Sequence, residues 1–593
     1  MARIMWLIRL ALVLVWCGLS QGVLEVFQAA TPPRLTYDNP ACRQVLFEHD
    51  FGSSYGAPYV GAYSPPNGCN FTTIIFNISV VSSGQQYDRL ATLWLGDIEI
   101  WRTSTAMPIQ SGIHWSFQKD MTIWHPLSTQ AQKIIFDLGN TIDGDRYTGF
   151  FNVTMEALYY DDEYTAGFHP AEHIYPISTQ LSSNDTTSLF SLPGDSGSVN
   201  LTLPRNVKNA VVSVTASGNG AEEFWFTNVP TEYVNTFPGN DGWLYGCSLF
   251  REVQVIIDGQ LAGVSWPFPI LFTGGVDPGA WRPIVGIDAF ELSAFEVDIT
   301  PWLGLLTDGQ AHTFQLRVVG FDTSTEDGLG PIGENWWVSG SVFVWLENGV
   351  NQTVSRDFES EVTTPSFEFR PIVGTAISEN GTATNTSFYF ALTASRNITI
   401  SSTIVVGNNT REATWTQNLS FSNIQNMTDM AFNQSLAMVT SGNYSDSSSG
   451  IVSQYTYPLN LFSAYNVTSS EATSNPGSVF CRADRSKLSD GISALSFLTG
   501  TSVESESLKT RQNVTSNYHW NRTIVAGTDG LDTMDGEVWF SYSSTATKEI
   551  GVEAYHRYAR EKNDSILIDE QGWGEMSVPS TVPLPHVDGE PIV

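Results

Sequence analysis

Helical periodicity is nearly absent from this chain, and short alternating apolar runs take its place. Few segments repeat apolar residues at i, i+3 and i+4. Instead Val211-Val212-Ser213-Val214-Thr215-Ala216, Val253-Gln254-Val255-Ile256-Ile257, Thr313-Phe314-Gln315-Leu316-Arg317-Val318-Val319 and Val342-Phe343-Val344-Trp345-Leu346 recur between clusters of Gly, Asn, Asp, Pro and Ser. A strand turns successive side chains to opposite faces, so this spacing predicts antiparallel sandwiches. Ile257-Asp258-Gly259-Gln260-Leu261 reads as a tight hairpin, because Asp-Gly tolerates the left-handed backbone such a turn needs.

The chain has 593 residues, more than one core can organise, and its length predicts three or four domains. Apolar residues at 41% and aromatics at 12% suffice to fill packed cores. A first sandwich is expected over residues 31–180 and a second over 199–350. The stretch Ser178 to Ser198 between them, rich in Ser, Asn, Asp and Gly, reads as a linker. A third β-rich region follows over 355–576, and 577–593 reads as a loose tail. The fold class expected is all-β, and no repeat of fixed period is visible.

The N-terminus has the order of a secretory signal. Arg3 and Arg9 lead into an apolar run from Leu10 to Leu19, and small residues follow at Ser20 and Gly22. That run is short for a bilayer span, so cleavage and export are expected over an uncleaved anchor, with residues 1–22 removed. The destination is extracellular or vacuolar, with no stable membrane partner. The net charge is -33 and no Lys/Arg cluster exists, which excludes nucleic acid as a partner. Asn-X-Ser/Thr sequons are numerous, among them Asn70, Asn77, Asn152, Asn397, Asn418, Asn466 and Asn513. They crowd after Asn351, marking the C-terminal half as a sugar-coated surface rather than the main catalytic part. Beyond Cys17 in the signal, four cysteines allow three pairings. The local pair Cys42–Cys69 is the first choice, which leaves Cys247–Cys481 either bridged or free and buried.

Two acidic stretches carry the candidate chemistry. Gly84-Gln85-Gln86-Tyr87-Asp88-Arg89 sets an Asp-Arg pair at the head of the alternating run Leu90 to Leu95. Far downstream stands Glu222-Glu223-Phe224-Trp225. If the two converge, the chain is a hydrolase with two carboxylates. Each also has a plain structural reading: Asp88-Arg89 as a rim ion pair, Glu223 as a solvated acid beside a core Trp. Trp266, Trp281, Trp336 and Trp337 are more often core than sugar platforms. His169 and His173 have metal-binding helical spacing, but Pro170 argues for a loop, so no metal is expected there. No nucleophile elbow and no glycine-rich phosphate loop is evident, and no cofactor is expected.

Motifs across residues 35 to 350 give a family resemblance. Pro40-Ala41-Cys42, Tyr55-Gly56-Ala57-Pro58, Pro65-Pro66-Asn67-Gly68-Cys69, Tyr87-Asp88-Arg89, Ile98-Glu99-Ile100-Trp101-Arg102-Thr103, Gly220-Ala221-Glu222-Glu223-Phe224-Trp225, Phe250-Arg251-Glu252-Val253 and Trp266-Pro267-Phe268-Pro269 with Phe272-Thr273-Gly274-Gly275 carry it. The chain resembles the acidic, secreted peptide:N-glycanase A type amidases of plants and fungi. That family is distantly similar to a bacterial peptide:N-glycanase built of two adjoining jelly rolls with the site at their interface, which implies the same architecture here.

The resemblance implies cleavage of the amide linking glycan to asparagine in N-glycopeptides or N-glycoproteins. It carries the main catalytic Asp onto Asp88 and, less directly, a Glu onto Glu223, and likens Pro278-Gly279-Ala280-Trp281 and Arg282 to a Pro-Gly-Asn-Trp segment and the Arg that follows it. On this reading Asp88 is the acid/base at the scissile bond, Glu223 positions or activates water, and Arg282 holds the carbonyl or a carboxylate. Arg89, Trp225 and Trp281 are assigned to substrate contact. The third acid of the bacterial enzyme has no match: Asp137 is one residue off, which in a strand turns its side chain to the other face. The competing reading is a non-catalytic glycan-binding or cell-surface sandwich protein, with a glycoside hydrolase behind it.

Overall fold

Period-two patterning produces the expected all-β architecture, and a computed structural model shows how its sheets associate. It describes residues 23–32, 39–161, 170–237, 244–446, 451–467, 477–491, 506–520, 533–544 and 555–573. The expected signal, the expected tail and His169 lie outside the described residues.

The first sandwich faces two sheets across one core. One sheet orders Leu24–Glu25, Ile113–Asp120, Thr73–Ser83, Phe150–Tyr160 and Cys42–Phe51; the other orders Tyr59–Tyr63, Gln132–Leu138, Leu90–Leu95 and Ile98–Ser104. Phe47, Phe76, Leu93, Trp115, Phe136 and Met155 fill the space between them. Cys42 and Cys69 form a disulfide that staples the outermost strand of the first sheet.

The second sandwich pairs His173–Ile177, Trp336–Leu346, Val207–Gly218 and Phe295–Asp298 against a sheet of Ser198–Leu201, His312–Phe321, Arg251–Ile257 and Gln260–Ser265. Two boundaries therefore shift. His173–Ile177, expected in the first sandwich, hydrogen-bonds to Trp336–Leu346 in the second, and Phe190–Leu192, inside the expected linker, pairs with the same strand. Such pairings join residues more than 140 positions apart, which no local pattern announces. The Asp258–Gly259 hairpin forms with both residues at positive φ, 47° and 80°.

The third region is one sheet of eleven strands among the described residues, including Ala383–Val406 with 24 residues. Its residues alternate, and the buried set (Phe388, Phe390, Leu392, Trp415, Phe421) joins the same core as Phe250 and Trp266 of the second sandwich. The region is thus not only a coated surface: its inner face completes the second sandwich. Asn397, Asn418, Asn466 and Asn513 stand out of phase with the buried residues, on the outer face. In the first sandwich Asn70 and Asn152 are exposed and Asn77 is half-buried.

Cys247 and Cys481 are both free, which corrects the second bridge. Their thiols lie in different surroundings. Cys481 is buried in the inner face of the long sheet near Asp277, whereas Cys247 sits in a turn at φ 65° beside Arg251 and Glu222. Packing and buried hydrogen bonds hold the third region instead: Gln417 exchanges two with the Val264 backbone, at 3.0 and 2.8 Å, and Arg396 pairs with Glu252. His173 lies on a strand and is exposed, not on a helix. Among the described residues no helix is long and apolar enough to cross a membrane.

Candidate active site

The site forms where the two sandwiches meet, and a buried ion pair sets how they meet. Arg102 of the first sandwich binds Glu99 through two bonds of 2.7 Å each and reaches across to Ser217 Oγ at 2.9 Å and the Trp337 carbonyl at 2.7 Å. Glu99 in turn accepts the Ser339 hydroxyl at 2.5 Å. In this arrangement the Arg102 and Glu99 groups bond to each other and across the seam, so a buried charge is not left unpaired there.

Asp88 stands just before the strand Leu90–Leu95. Arg89 N–H donates to Thr105 Oγ1 at 2.9 Å and Thr105 N–H to the Arg89 carbonyl at 2.8 Å, which extends the strand's pairing past its first residue. Glu223 stands between two short 3-10 turns, Gly220–Glu222 and Trp225–Thr227. Both acids are half-buried. Burial pushes the Asp88 carboxyl up to about 6, against the pull of hydrogen bonds from the backbone N–H groups of Gly274 and Asp88 itself and of the Arg89 charge. Burial first, and the charge of Asp88 after it, together push Glu223 up to about 8. The two therefore act as one pair, both carboxyls held above their ordinary range and Glu223 the further.

Two glycines lie against the two acidic segments. A Cβ added to Gly274 would sit 2.2 Å from Asp88 Oδ1, and one added to Gly275 would sit 2.9 Å from the Phe224 ring. Only glycine allows the 272–277 loop to lie this close to both sandwiches. Thr273 anchors the loop to the first sandwich through the Thr105 carbonyl at 3.0 Å. In the sequence the glycines stand within the Phe272-Thr273-Gly274-Gly275 motif, which by itself gives them no part in a site.

The neighbouring acids of the second stretch divide sharply. Glu222 is fully buried and binds Arg251 bidentately at 2.6 and 2.7 Å, while Trp336 Nε1 and the Gly333 N–H also donate to it. It is a structural carboxylate. Its neighbour Glu223, one residue on, has no such ion pair among the described residues and lies within reach of the Asp88 charge.

The other expected site residues lie elsewhere. Trp225 and Trp281, 4% and 1% exposed, belong to the core of the second sandwich and offer no face to a sugar. Trp281 uses its Nε1 on the Gly275 carbonyl at 2.8 Å, so it buttresses the glycine loop from behind. Arg282 turns to the C-terminal sheet, bonding Asp564 at 2.9 Å with Glu561 nearby, and does not reach the acid pair. Arg89 donates to Gln86 at 2.6 Å and Asn140 at 3.3 Å and lies 5.8 Å from the Tyr55 ring. The rings beside the acids are Phe224, half-buried against Gly275, and Tyr87, which packs on Tyr147 at 5.9 Å.

Asp137 pairs with Thr92 across the sheet, while Phe136 and Leu138 turn into the core of the first sandwich. Burial alone pushes its carboxyl up to about 6, and Asp88 has no part in that shift. Thr92 lies four residues down the strand from Asp88, about 13 Å at 3.3 Å per residue. The acid pair is a pair, without Asp137. Arg102, Phe268, Tyr457 and Lys487 are among the residues lining a separate cavity of about 410 Å³, and neither Asp88 nor Glu223 lines it.

Comparison with known proteins bears on this arrangement. A family model described as peptide N-acetyl-beta-D-glucosaminyl asparaginase amidase A matches residues 30–362, and one for the PNGase_A C-terminal domain matches 389–459. Peptide-N4-(N-acetyl-beta-glucosaminyl)asparagine amidase A of Prunus dulcis is 34% identical over 353 residues, which is 56% of this chain and 59% of the relative. The chain thus spans about three-fifths of the length of that curated relative. Among solved structures, PNGase F, a glycosylasparaginase from Flavobacterium meningosepticum, aligns at a TM-score of 0.33 and 14% identity, covering 52% of this chain and 96% of that one. PNGF-II aligns at 0.34 and 14%, covering 55% and 65%. Because the first model spans more than half of its residues, the chain belongs to the peptide N-acetyl-beta-D-glucosaminyl asparaginase amidase A family.

Proposed function

We propose that this protein hydrolyses the amide bond between an N-glycan and its asparagine, leaving aspartate on the peptide and releasing the glycan as a glycosylamine. The observation that carries the reading is the coupled pair Asp88 and Glu223, contributed by different sandwiches and held half-buried at their seam. Amide hydrolysis needs a base to activate water and an acid to protonate the departing nitrogen. A carboxyl pair whose members lose their protons at about 6 and about 8 supplies both between those values. Asp88, which ionises first, takes the proton from water. Glu223, which holds its proton longer, gives it to the leaving nitrogen. The sequence reading has Glu223 position or activate water; the raised Glu223 carboxyl favours the proton donor's part instead.

Substrates on this reading are N-glycopeptides or N-glycoproteins, and the family relationship supports that class. Phe224 and Tyr87 are the rings that flank the acids and offer apolar faces to the core sugars. Secretion fits the Cys42–Cys69 disulfide, which persists in an oxidising compartment.

The test is a glycopeptide bearing one N-glycan, weighed before and after incubation. Amide hydrolysis releases the intact glycan and leaves a peptide about 1 Da heavier than its asparagine form, since acid replaces amide. A glycosidase leaves a sugar on the asparagine, and a binding protein changes nothing; either outcome overturns the proposal.

A further inference from the structure

Both turns that frame the acid pair are tied to the C-terminal sheet. Following Glu223, the carbonyl of Phe226 accepts two side-chain amides, from Asn423 Nδ2 at 2.9 Å and Gln425 Nε2 at 2.8 Å. Gln434 Nε2 donates to Gln425 Oε1 at 2.8 Å and reaches the Thr227 carbonyl at 3.4 Å. Asn423 and Gln425 are fully buried on the inner face of the strand Asn409–Thr428, among Leu419, Phe421 and Met427. Apolar side chains would pack at those positions without the cost of desolvating an amide. What the amides add is direction: they fix one carbonyl, three residues beyond Glu223.

The second turn is the glycine loop. Val276 adopts φ 63°, a left-handed conformation that β-branched residues rarely take. Asp277 N–H closes a three-residue turn on the Gly275 carbonyl at 2.7 Å. Strain of this kind persists only where the surroundings impose it. Tyr465, from the strand Ile451–Val467, donates its hydroxyl to the Val276 carbonyl at 3.0 Å. Two residues earlier in the same loop, the Gly274 N–H bonds Asp88.

We propose that the C-terminal sheet is a working part of the active site: Asn423 and Gln425 position the turn Trp225–Thr227 that follows Glu223, and Tyr465 positions the loop that presents the Gly274 N–H to Asp88. These are positioning residues, which act on the acids through the backbone they hold. The proposal rests on the amidase reading for its kinetic readout only.

The experiment uses the full-length glycosylated chain and two variants: Tyr465→Phe, which removes one hydroxyl, and the shape-preserving double variant Asn423→Leu/Gln425→Met. Hydrogen exchange by mass spectrometry and the pH profile of kcat on a glycopeptide are measured for each. Tyr465→Phe should speed exchange within residues 272–278 alone and lower kcat about tenfold or more with KM little changed, since small misplacements at a reacting centre are costly. Its acid limb should move up, because Asp88 loses a donor that favours the ionised form. The double variant should speed exchange within 220–229 and move the alkaline limb down, as Glu223 gains water. If both variants keep wild-type local exchange and wild-type limbs, or lose activity only in proportion to the unfolded fraction, the proposal is overturned. Should the double variant fail to fold, Tyr465→Phe decides alone. If the wild type releases no glycan, the amidase reading fails while the exchange data still judge the positioning claim.

Discussion

Replacing Asp88 by Asn should stabilise the protein at neutral pH while removing its activity. Burial lifts the Asp88 carboxyl from 3.8 to about 6 in the folded chain. The unfolded chain therefore ionises this group first as pH rises, so native stability is lost between about 4 and about 6 and stays lost above. At 1.36 kcal/mol per pH unit the gap corresponds to at most about 3 kcal/mol at pH 8 and to almost nothing at pH 3. Asparagine has the same shape, keeps an oxygen to accept the Gly274 N–H, and has no charge to desolvate. It also relieves Glu223 of a neighbouring charge. For a chain of this size the gain corresponds to a rise of about 2–4 °C in Tm. Thermal unfolding of both proteins across pH 3 to 8, with glycopeptide turnover measured alongside, checks it. A Tm difference that does not grow with pH, or an Asn variant less stable than the parent at pH 8, refutes the reasoning.

Glu223→Gln should cut kcat/KM by about 10²–10⁴-fold and abolish the alkaline limb near 8, with the fold intact; a pH profile of residual activity reads this. Glu222→Leu, one residue away, should instead cost about 3–5 kcal/mol in urea unfolding, because Arg251 is left buried without its carboxylate. Equal effects from the two substitutions would contradict the division of roles between them. Cys42→Ser opens a loop closed over a separation of 27 residues and should lower stability by about 3–4 kcal/mol, read from the denaturant midpoint with and without reductant.

Several elements of the candidate site were legible in the chain and others were not. Asp88 is visible because it heads an alternating run, and Glu223 through the motif around it. The fate of Trp225 and Trp281 is not visible, because they lie in 3-10 turns where no period tells the buried side from the open one. Arg282 follows Trp281 in sequence, but its partner Asp564 lies 282 residues further on. The Gly274-Gly275 pair and Tyr465 gain their meaning only from the backbone that passes close to them.

The primary structure by itself determined the all-β character and the Asp258–Gly259 hairpin, and it favoured the short disulfide among three pairings. Each depends on a period of two or on contacts between near neighbours along the chain. Tertiary structure alone decided that Gly274 lies against Asp88, that Glu222 is tied to Arg251 while Glu223 feels the charge of Asp88, and that the last sheet packs onto the second sandwich. Charge coupling and burial depend on distance through space, and chain order carries no measure of it.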